Sequence, residues 1–341
     1  MSQHLLTHGP LLNESGELIE AGYAFSLVKE YKRSAIKKLK NRIKEWDYYF
    51  FHDDEYGVAL TIADNSYMAL ISASVIDFKN KKEWTKSYMK WFTRGSTCLP
   101  YTSEDGNIVV KSEKYDFTFN NDHENRHLIC NLKDLINDHD FHVDVSLIRK
   151  NPYSMVIATP FKKKRHFYYN QKINLLEVKG SFSFGPIKHT FKTHTYGVLD
   201  WGRGIWTYSN TWYWSSLSGY QDGQLIGFNL GYGFGDTSKA SENMLFVNDK
   251  AYKLEDVKFD IPVVNKKEMY LKPWKITSKS SDINLTFNPI IDRYSNTNAI
   301  IIQSKQHQVF GTFSGAIRIK GQIIKLDNMI GFAEKVKNRW R

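Results

Sequence analysis

From Trp46 onwards, the sequence is a succession of short runs in which polar and apolar residues alternate. Clusters of Asn, Asp, Ser and Gly separate the runs, and such clusters are typical of turns. Aromatic residues, which favour strands, make up 15% of the chain. The pattern therefore predicts a mainly β fold of the sandwich or barrel type. The clearest runs in the first half are residues 56–64, 67–78, 107–110, 115–120, 127–131, 141–147 and 154–158.

Other segments have less regular patterns. Residues 79–90 are rich in lysine, and we predict a short charged helix or an exposed loop there. Residues 172–179 and 181–184 are predicted to be two strands joined near Gly180. A second strand-rich block follows residue 190, where we place a domain boundary. Two related barrels would explain the similar length and character of the two halves.

Residues 25–43 show the spacing of an amphipathic helix. Apolar residues recur at intervals of three and four, and basic residues cover the rest of the surface. We interpret the segment as an N-terminal helix that packs on its own domain with a basic face towards solvent. Weak peripheral contact with a membrane through this helix is the alternative. The apolar stripe consists of Val28, Tyr31, Ala35, Leu39 and Ile43.

The net charge of +11 attracts anions, but no motif of a nucleic-acid-binding protein accompanies it. We therefore expect a solvated basic surface and no specific nucleic acid partner. The two cysteines, Cys98 and Cys130, are too few for a disulfide framework. The N-terminus has no secretory pattern, and no run of about 18 apolar residues is present, so the expected location is the cytoplasm.

The densest group of candidate functional residues begins at Asp200. Alternation along one strand places Trp206, Trp212 and Trp214 on the face that carries Asp200. A turn within the segment would instead make two of the indoles cross-strand neighbours. Either arrangement clusters indole rings near one carboxylate. A carboxylic acid that indoles desolvate keeps its proton near neutral pH, so the segment predicts a general acid within an aromatic wall.

Two alternatives to this interpretation stay open. If Arg203 pairs with Asp200, the carboxylate is half of a structural ion pair and has no proton to donate. The indoles are also explained if they only fill the core of a barrel.

Glycines alternate with large apolar residues over residues 227–235, so one strand face is nearly bare. A bare face lets a ligand approach the backbone, or it belongs to a strongly coiled barrel strand. Glu242, followed by Asn243, is a second carboxylate for acid–base chemistry or a solvated loop residue. In the tail, His307 is a base or a structural histidine, and Glu334 is a partner carboxylate or part of a salt bridge. No group has the spacing of metal ligands, and we expect no cofactor.

The chain also contains a series of short motifs: Gly9-Pro-Leu, Trp46-Asp47-Tyr48-Tyr49, Ser154-Met155 with Pro160-Phe161, Tyr169-Asn170-Gln171-Lys172, Asp200-Trp-Gly-Arg-Gly-x-Trp206, Trp212-x-Trp214, Asn229-Leu-Gly-x-Gly, Glu242-Asn243, His307-Gln308-x-x-Gly311, and Ala333-Glu334 before Arg339-Trp340. Together they resemble domain-of-unknown-function family 2804 over essentially the whole chain. The resemblance implies companions for Asp200 at Glu242, Asn243, His307 and Glu334.

More distantly, the plan is similar to the two-domain lipocalin-like proteins, which include carotenoid 1,2-hydratases, tocopherol cyclases and some fungal cyclases. This similarity implies two lipocalin-like β-barrels, or strongly curved antiparallel sheets, packed side by side, together with the N-terminal helix. It also implies chemistry without a redox cofactor in a cavity between the two barrels. We expect a helical segment at residues 1–45, a first β domain at 46–190 and a second at 191–341.

The leading hypothesis is a cofactor-independent hydratase, cyclase or isomerase that acts on an apolar small molecule. Asp200 would be the general acid, and Arg203 would orient it. The alternatives are a non-catalytic protein that binds a lipid or another hydrophobic ligand, and a carbohydrate-active enzyme with paired carboxylates and Trp stacking. The candidate residues are Asp200, Glu242, Glu334 and His307 for catalysis, and Arg203, Trp206, Trp212, Trp214, Asn229 and Asn243 for ligand binding.

Overall fold

The computed structural model describes residues 3–37, 39–136, 138–299 and 302–339. Most of its strands belong to two large antiparallel sheets, each curled into a half-barrel, and the two sheets pack against each other. This confirms the predicted mainly β fold of two curved sheets. Within these ranges, no helix has the length and apolar character needed to cross a membrane.

The N-terminal segment is extended, and the prediction of an amphipathic helix at residues 25–43 is wrong: the described residues include no α-helix. Leu39 interrupts any helix because its φ of 62° lies in the left-handed region. Tyr31 and Ile43 are buried in the core of the first sheet, so tertiary packing overrides the helical spacing. Weak peripheral contact of this segment with a membrane stays a prediction. The elements are β1 (Gly9–Pro10), β2 (Gly22–Ala24), β3 (Lys29–Glu30) and the 3-10 helices Arg33–Ala35 and Lys40–Arg42.

The first sheet continues from β2 into the central part of the chain. Its further strands are β4 (Lys44–His52), β5 (Tyr56–Asp64), β6 (Met68–Asp77), β7 (Lys82–Trp91), β8 (Ile108–Lys111), β9 (Tyr115–Asp122), β10 (Asn125–Ile136), β11 (His139–Arg149), β12 (Met155–Pro160), β13 (Phe167–Phe184), β14 (Ile187–Thr190) and β15 (Tyr196–Ile205). The main order is β7-β6-β5-β4-β15-β13-β11-β10-β9-β8. The strands β12 and β14 pair with β13, and β2 pairs with β12.

The second sheet takes up the rest of the chain. Its strands are β16 (Ser209–Gln221), β17 (Gln224–Tyr232), β18 (Met244–Val247), β19 (Lys250–Lys253), β20 (Val257–Asp260), β23 (Trp274–Ser278), β24 (Ile283–Ala299), β25 (Ile302–Ile319) and β26 (Gln322–Arg339), with a separate hairpin of β21 (Val263–Val264) and β22 (Lys267–Glu268). The order is β19-β18-β17-β16-β26-β25-β24-β23-β20.

The lysine-rich residues 79–90 are mostly strand, so the predicted helix or loop is wrong there. β7 pairs with β6 along its whole length. Trp84 and Tyr88 lie at alternating positions and pack against Phe184 and Tyr115, respectively. Lys82 and Lys90 have exposed side chains and Lys86 is half-buried, which is compatible with an outer strand of a sheet.

Residues 172–184 lie within one continuous strand, β13, and do not form the predicted strand pair joined near Gly180. Gly180 has a φ of 131° and lies against β11. A Cβ atom there would stand 2.2 Å from the carbonyl oxygen of Asp144. The glycine therefore permits the close approach of a neighbouring strand and does not mark a turn.

The chain leaves the first sheet after Ile205 and enters the second at Ser209. β15 pairs with β13 and β4, so Asp200 belongs to the first sheet, although the predicted second domain begins at residue 191. Whether the two parts fold as separate domains stays a prediction.

Apolar side chains fill the interior of each curled sheet. Two further apolar clusters lie where the sheets meet: one contains Phe50, Phe310 and Phe332, and the other contains Tyr168 and Phe246. Members of both clusters contribute to the wall of a cavity between the sheets.

Candidate functional site

One row of side chains crosses the first sheet and faces the second. Asp200 on β15 lies opposite Lys172 on β13 and Tyr48 on β4. Residues directly opposite each other in antiparallel strands point to the same face of the sheet. The row therefore forms a continuous wall, which extends across β5, β6 and β7 through Thr61, Ser72 and Ser87.

A second row crosses the facing sheet. Glu334 on β26 lies opposite Trp214 on β16 and Gln308 on β25. The hydroxyl of Tyr48 donates a hydrogen bond to Oε1 of Gln308 at 3.3 Å, so the two rows meet across the junction.

The cavity between the rows has a volume of about 530 Å³. Its wall has an aromatic side and a side rich in hydroxyl groups. Such a division suits a ligand with an apolar body and a polar end. The aromatic side consists of Trp46, Tyr168, Trp206, Trp212, Trp214 and Phe234, and the hydroxyl side of Thr61, Ser72, Thr85 and Ser87.

Asp200 lines the cavity as half of an ion pair. Its Oδ1 lies 2.8 Å from the Lys172 ammonium and accepts a hydrogen bond from Nδ2 of Asn170 at 2.6 Å. The ammonium also lies 3.8 Å from the ring centroid of Trp214, so an indole covers the pair. The indole of Trp214 therefore contacts the cationic partner of Asp200.

Arg203 is fully buried on the opposite face of β15 and does not pair with Asp200. Its Nη2 lies 3.0 Å from Oδ1 of Asp47, and its guanidinium lies 4.3 Å from the ring centroid of Trp201. Nη1 donates to the carbonyl oxygen of Trp46 at 2.8 Å. The arginine therefore supports the strand that carries Asp200 and is not one of the residues that line the cavity.

Glu334 is the carboxyl group that contacts the indoles of the cavity wall. Nε1 of Trp212 donates to its Oε1 at 2.9 Å, and the side-chain amides of Gln306 and Gln308 donate to its Oε2 at 3.2 and 3.1 Å. Burial outweighs these hydrogen bonds and raises the pKa of Glu334 to about 7. The environment that the sequence predicted for Asp200 is therefore found at Glu334.

Glu242 also lines the cavity, and burial raises its pKa. It occupies the bare side of Gly231, where a Cβ atom would stand 2.7 Å from the Glu242 Oε1. The glycine-rich strand thus makes room for a carboxyl group of the protein. Asn229 fixes this arrangement, because its Nδ2 donates to the Glu242 carbonyl oxygen at 2.7 Å and its Oδ1 accepts from Trp214 Nε1 at 2.6 Å. Asn243 lies behind the wall and donates to the carbonyl oxygen of Glu255 at 2.9 Å.

His307 points away from the cavity, on the face of β25 opposite to Gln306 and Gln308. Its Nδ1 lies 2.7 Å from Oδ2 of Asp292, and its ring stacks on Tyr270 with 3.6 Å between the centroids. These contacts are those of a structural histidine. Trp340, the last residue of the sequence motifs, lies outside the described residues.

Trp212 and Trp214 lie along one strand, β16, whereas Trp46 and Trp206 come from the first sheet and from the connection that follows it. Trp206 follows β15, Trp212 lies on β16, and their ring centroids are 6.2 Å apart in an edge-to-face arrangement. Trp46 contacts Trp206 at 5.2 Å and lies over Gly202, where a Cβ atom would stand 1.9 Å from its Cζ2. The absence of a side chain at Gly202 therefore leaves room for the indole ring of Trp46.

Sequence reasoning missed several cavity residues. Lys172 and Tyr48 lie within two of the sequence motifs given above. The alternation of side chains along their strands could have indicated that they share a face with other cavity residues. Arg293 and Gln306 carried no signal, because only strand register brings them to the site. No group of three or more His, Cys, Asp or Glu side chains in the described ranges is placed to hold a metal ion.

Comparison with known proteins places these features in a family. The sequence matches the family described as "Domain of unknown function (DUF2804)" over residues 2–340. No curated protein matches it. Among solved structures, an AttH-like protein from Nitrosomonas europaea is similar over 86% of this chain and 92% of its own, with 12% identity and a TM-score of 0.50. That likeness shows a common fold.

Two further solved structures are similar over most of the chain. A kievitone hydratase from Nectria haematococca covers 87% of this chain and 88% of its own, with 11% identity and a TM-score of 0.49. CghA, solved with Sch210972, covers 98% of both chains, with 6% identity and a TM-score of 0.41.

Proposed function

The chain belongs to the DUF2804 family, and from the chemistry of its cavity we propose that it is a cofactor-independent acid–base enzyme. Its reaction would be a hydration, cyclisation or isomerisation of a small molecule with an apolar body. The observation that carries the proposal is Glu334, a buried carboxyl group with a pKa of about 7 that faces a cavity walled by indoles.

Glu334 is the proposed general acid. A group with a pKa near the working pH is protonated often enough to donate and weak enough to be regenerated. Its proton would pass to an alkene carbon or to a leaving oxygen of the ligand. The faces of Trp206 and Trp212 would stabilise the positive charge that develops on the ligand.

Asp200 takes a different role from the one that the sequence suggested. We assign it the role of proton acceptor, because its Oδ1 lies beside the Lys172 ammonium. In a hydration it would take a proton from the water molecule that adds to the cation, and in an isomerisation it would take a proton from the ligand. Proton donation by Glu334 and acceptance by Asp200 leave the enzyme charge unchanged, and exchange with solvent restores both groups.

The test begins with the ligand. Extraction of the purified protein, followed by mass spectrometry, identifies bound small molecules, which are then incubated with dialysed protein in D₂O. We expect conversion without added cofactor and incorporation of solvent deuterium into the product. Glu334→Gln should lower turnover by about 100-fold or more while it retains ligand binding.

Glu177→Gln is the matched control, since Glu177 lies outside the cavity and pairs with Lys150. It should turn over like the wild type. Full turnover by Glu334→Gln would show that another group is the acid. Recovery of every bound compound unchanged would instead indicate the non-catalytic binding protein, and cleavage of a glycosidic bond would indicate the carbohydrate-active enzyme.

A further inference from the structure

Arg293 contributes a second cation to the cavity, on the side away from the Lys172–Asp200 pair. It lies on β24 and lines the cavity. Its Nη1 donates to Oγ of Ser74 at 2.7 Å, and its Nη2 donates to Oε1 of Gln308. Its guanidinium carbon lies 5.9 Å from the ring centroid of Phe310.

The charge of Arg293 is not matched by an acid in the way that the charge of Lys172 is. Among the residues that the structure describes, no carboxylate forms a salt bridge with its guanidinium, whose two hydrogen bonds go to neutral oxygens. A guanidinium has five N–H donors and binds carboxylate-like groups through two of them. Arg293 therefore has both the charge and the donors to bind an anion from the cavity.

The surroundings of Arg293 suit the polar end of a ligand. Oγ1 of Thr85 lies 2.8 Å from Oγ of Ser74 and 2.8 Å from Oε2 of Glu83, an acid that also lines the cavity. Gln308 connects the arginine to the proposed acid, since its Oε1 accepts from Arg293 and its Nε2 donates to Oε2 of Glu334 at 3.1 Å. An anionic group at Arg293 would thus lie one side chain away from the reacting end of the ligand.

We propose that Arg293 binds an anionic oxygen group of the substrate, such as a carboxylate, enolate or phenolate. The substrate class is then an apolar ring system with one acidic oxygen function, and not a neutral hydrocarbon. The proposal rests on the proposed function only in taking this cavity as the ligand site. Arg293 orients the ligand so that its apolar body meets the indoles and its bond to be protonated meets Glu334.

Two fluorescent probes with one ring skeleton test the charge preference directly. 8-Anilinonaphthalene-1-sulfonate is an anion, and N-phenyl-1-naphthylamine is its neutral counterpart. Titration of the protein with each probe gives two dissociation constants, one for the anionic and one for the neutral probe. Displacement of each probe by the other shows that both bind at the same site, and the ratio of the two constants measures the charge preference. We expect Arg293→Met to change this ratio by about tenfold in favour of the neutral probe, because it removes a charged hydrogen-bond donor. Arg293→Lys should retain part of the preference.

Arg318→Met is the control, since Arg318 is an exposed arginine that pairs with Asp282. It should leave the ratio unchanged. Equal weakening of both probes by Arg293→Met would mean that the arginine only holds the two sheets together through Ser74, and the proposal would be overturned. An unchanged ratio would overturn it as well, while binding of the neutral probe would leave the proposed acid–base function intact.

Discussion

Three neutral N–H donors surround the carboxyl group of Glu334, and each of their hydrogen bonds favours the ionised form. Burial opposes them, because a carboxylate without its hydration shell is poorly stabilised. The net effect is a pKa of about 7 against a usual value of 4.5. Asp200, in the same cavity, has an ammonium partner at 2.8 Å. Glu334 therefore has three neutral donors, whereas Asp200 has a cationic partner.

The raised pKa of Glu334 predicts a pH dependence of stability. Below pH 4.5 the folded and unfolded chains both hold the proton. Between 4.5 and about 7 the unfolded chain releases it while the folded chain keeps it, so the free energy of unfolding falls as the pH rises. Above about 7 both forms are ionised and this contribution is constant. The total loss is about 3 kcal/mol.

Urea denaturation at pH 5 and pH 8 measures this loss. Glu334→Gln cannot ionise, so its free energy of unfolding should decline less than that of the wild type over the same range. Glu177→Gln should follow the wild type. Parallel curves for the wild type and Glu334→Gln would contradict the assignment of a raised pKa to this residue.

At the scale of elements, the sequence predicts strands well where alternation and turn residues agree. Residues 56–64 have the predicted bounds in β5. Prediction fails where long-range contacts decide the conformation. The helical spacing of residues 25–43 arises in an extended segment whose apolar side chains are buried against the first sheet. The spacing of residues within this segment carries no information about the distant strands against which it packs.

The strand that carries Asp200 depends on Gly202. A Cβ atom there would stand 1.9 Å from Cζ2 of Trp46, which stacks on Tyr168 with 5.9 Å between the centroids. Gly202→Ala should therefore displace the indole and lower the free energy of unfolding by about 1–3 kcal/mol, the usual cost of overpacking. Thermal unfolding and near-UV circular dichroism measure the two effects.

Gly219→Ala on β16 is the matched control, because the added methyl group would meet only the flexible end of Met329. It should cost less than Gly202→Ala. The double variant Trp46→Ala with Gly202→Ala should be less destabilised than the sum of the single variants, since the clash is gone. Equal costs for the two glycine variants would mean that Trp46 moves aside freely.

At the scale of the whole molecule, the site is a product of the junction between the sheets. Both sheets supply residues that the sequence had singled out, but the sequence could not show that Glu334 and Asp200 face one cavity. Arg203, Asn243 and His307 have side chains suited to binding or catalysis, but they do not line the cavity. Their side chains point to the other face of their strand or are buried behind the cavity wall. The predicted site residues that line the cavity are Asp200, Trp206, Trp212, Trp214, Glu242 and Glu334, and their functional roles stay predictions.

The two sheets are also tied together by hydrogen bonds at an irregularity in β13. The register of β13 against β15 shifts between Ile173 and Leu176, which lets the chain reach towards the second sheet. There Nδ2 of Asn174 is within hydrogen-bonding distance of Oγ of Ser216, at 2.9 Å, and of the carbonyl oxygen of Phe228, at 3.1 Å. A buried amide with partners in the other sheet couples the stability of the two halves.

Asn174→Ala should lower the free energy of unfolding by about 1–3 kcal/mol, because buried oxygens of the second sheet lose their donor. We expect one transition in both the wild type and the variant, since apolar clusters as well as Asn174 join the sheets. Urea denaturation followed by circular dichroism and by tryptophan fluorescence checks whether the two signals coincide. Asn131→Ala, at an exposed position of β10, should have little effect. Two separate transitions in the wild type would instead mean that the sheets are independent domains and that the cavity forms only when they dock.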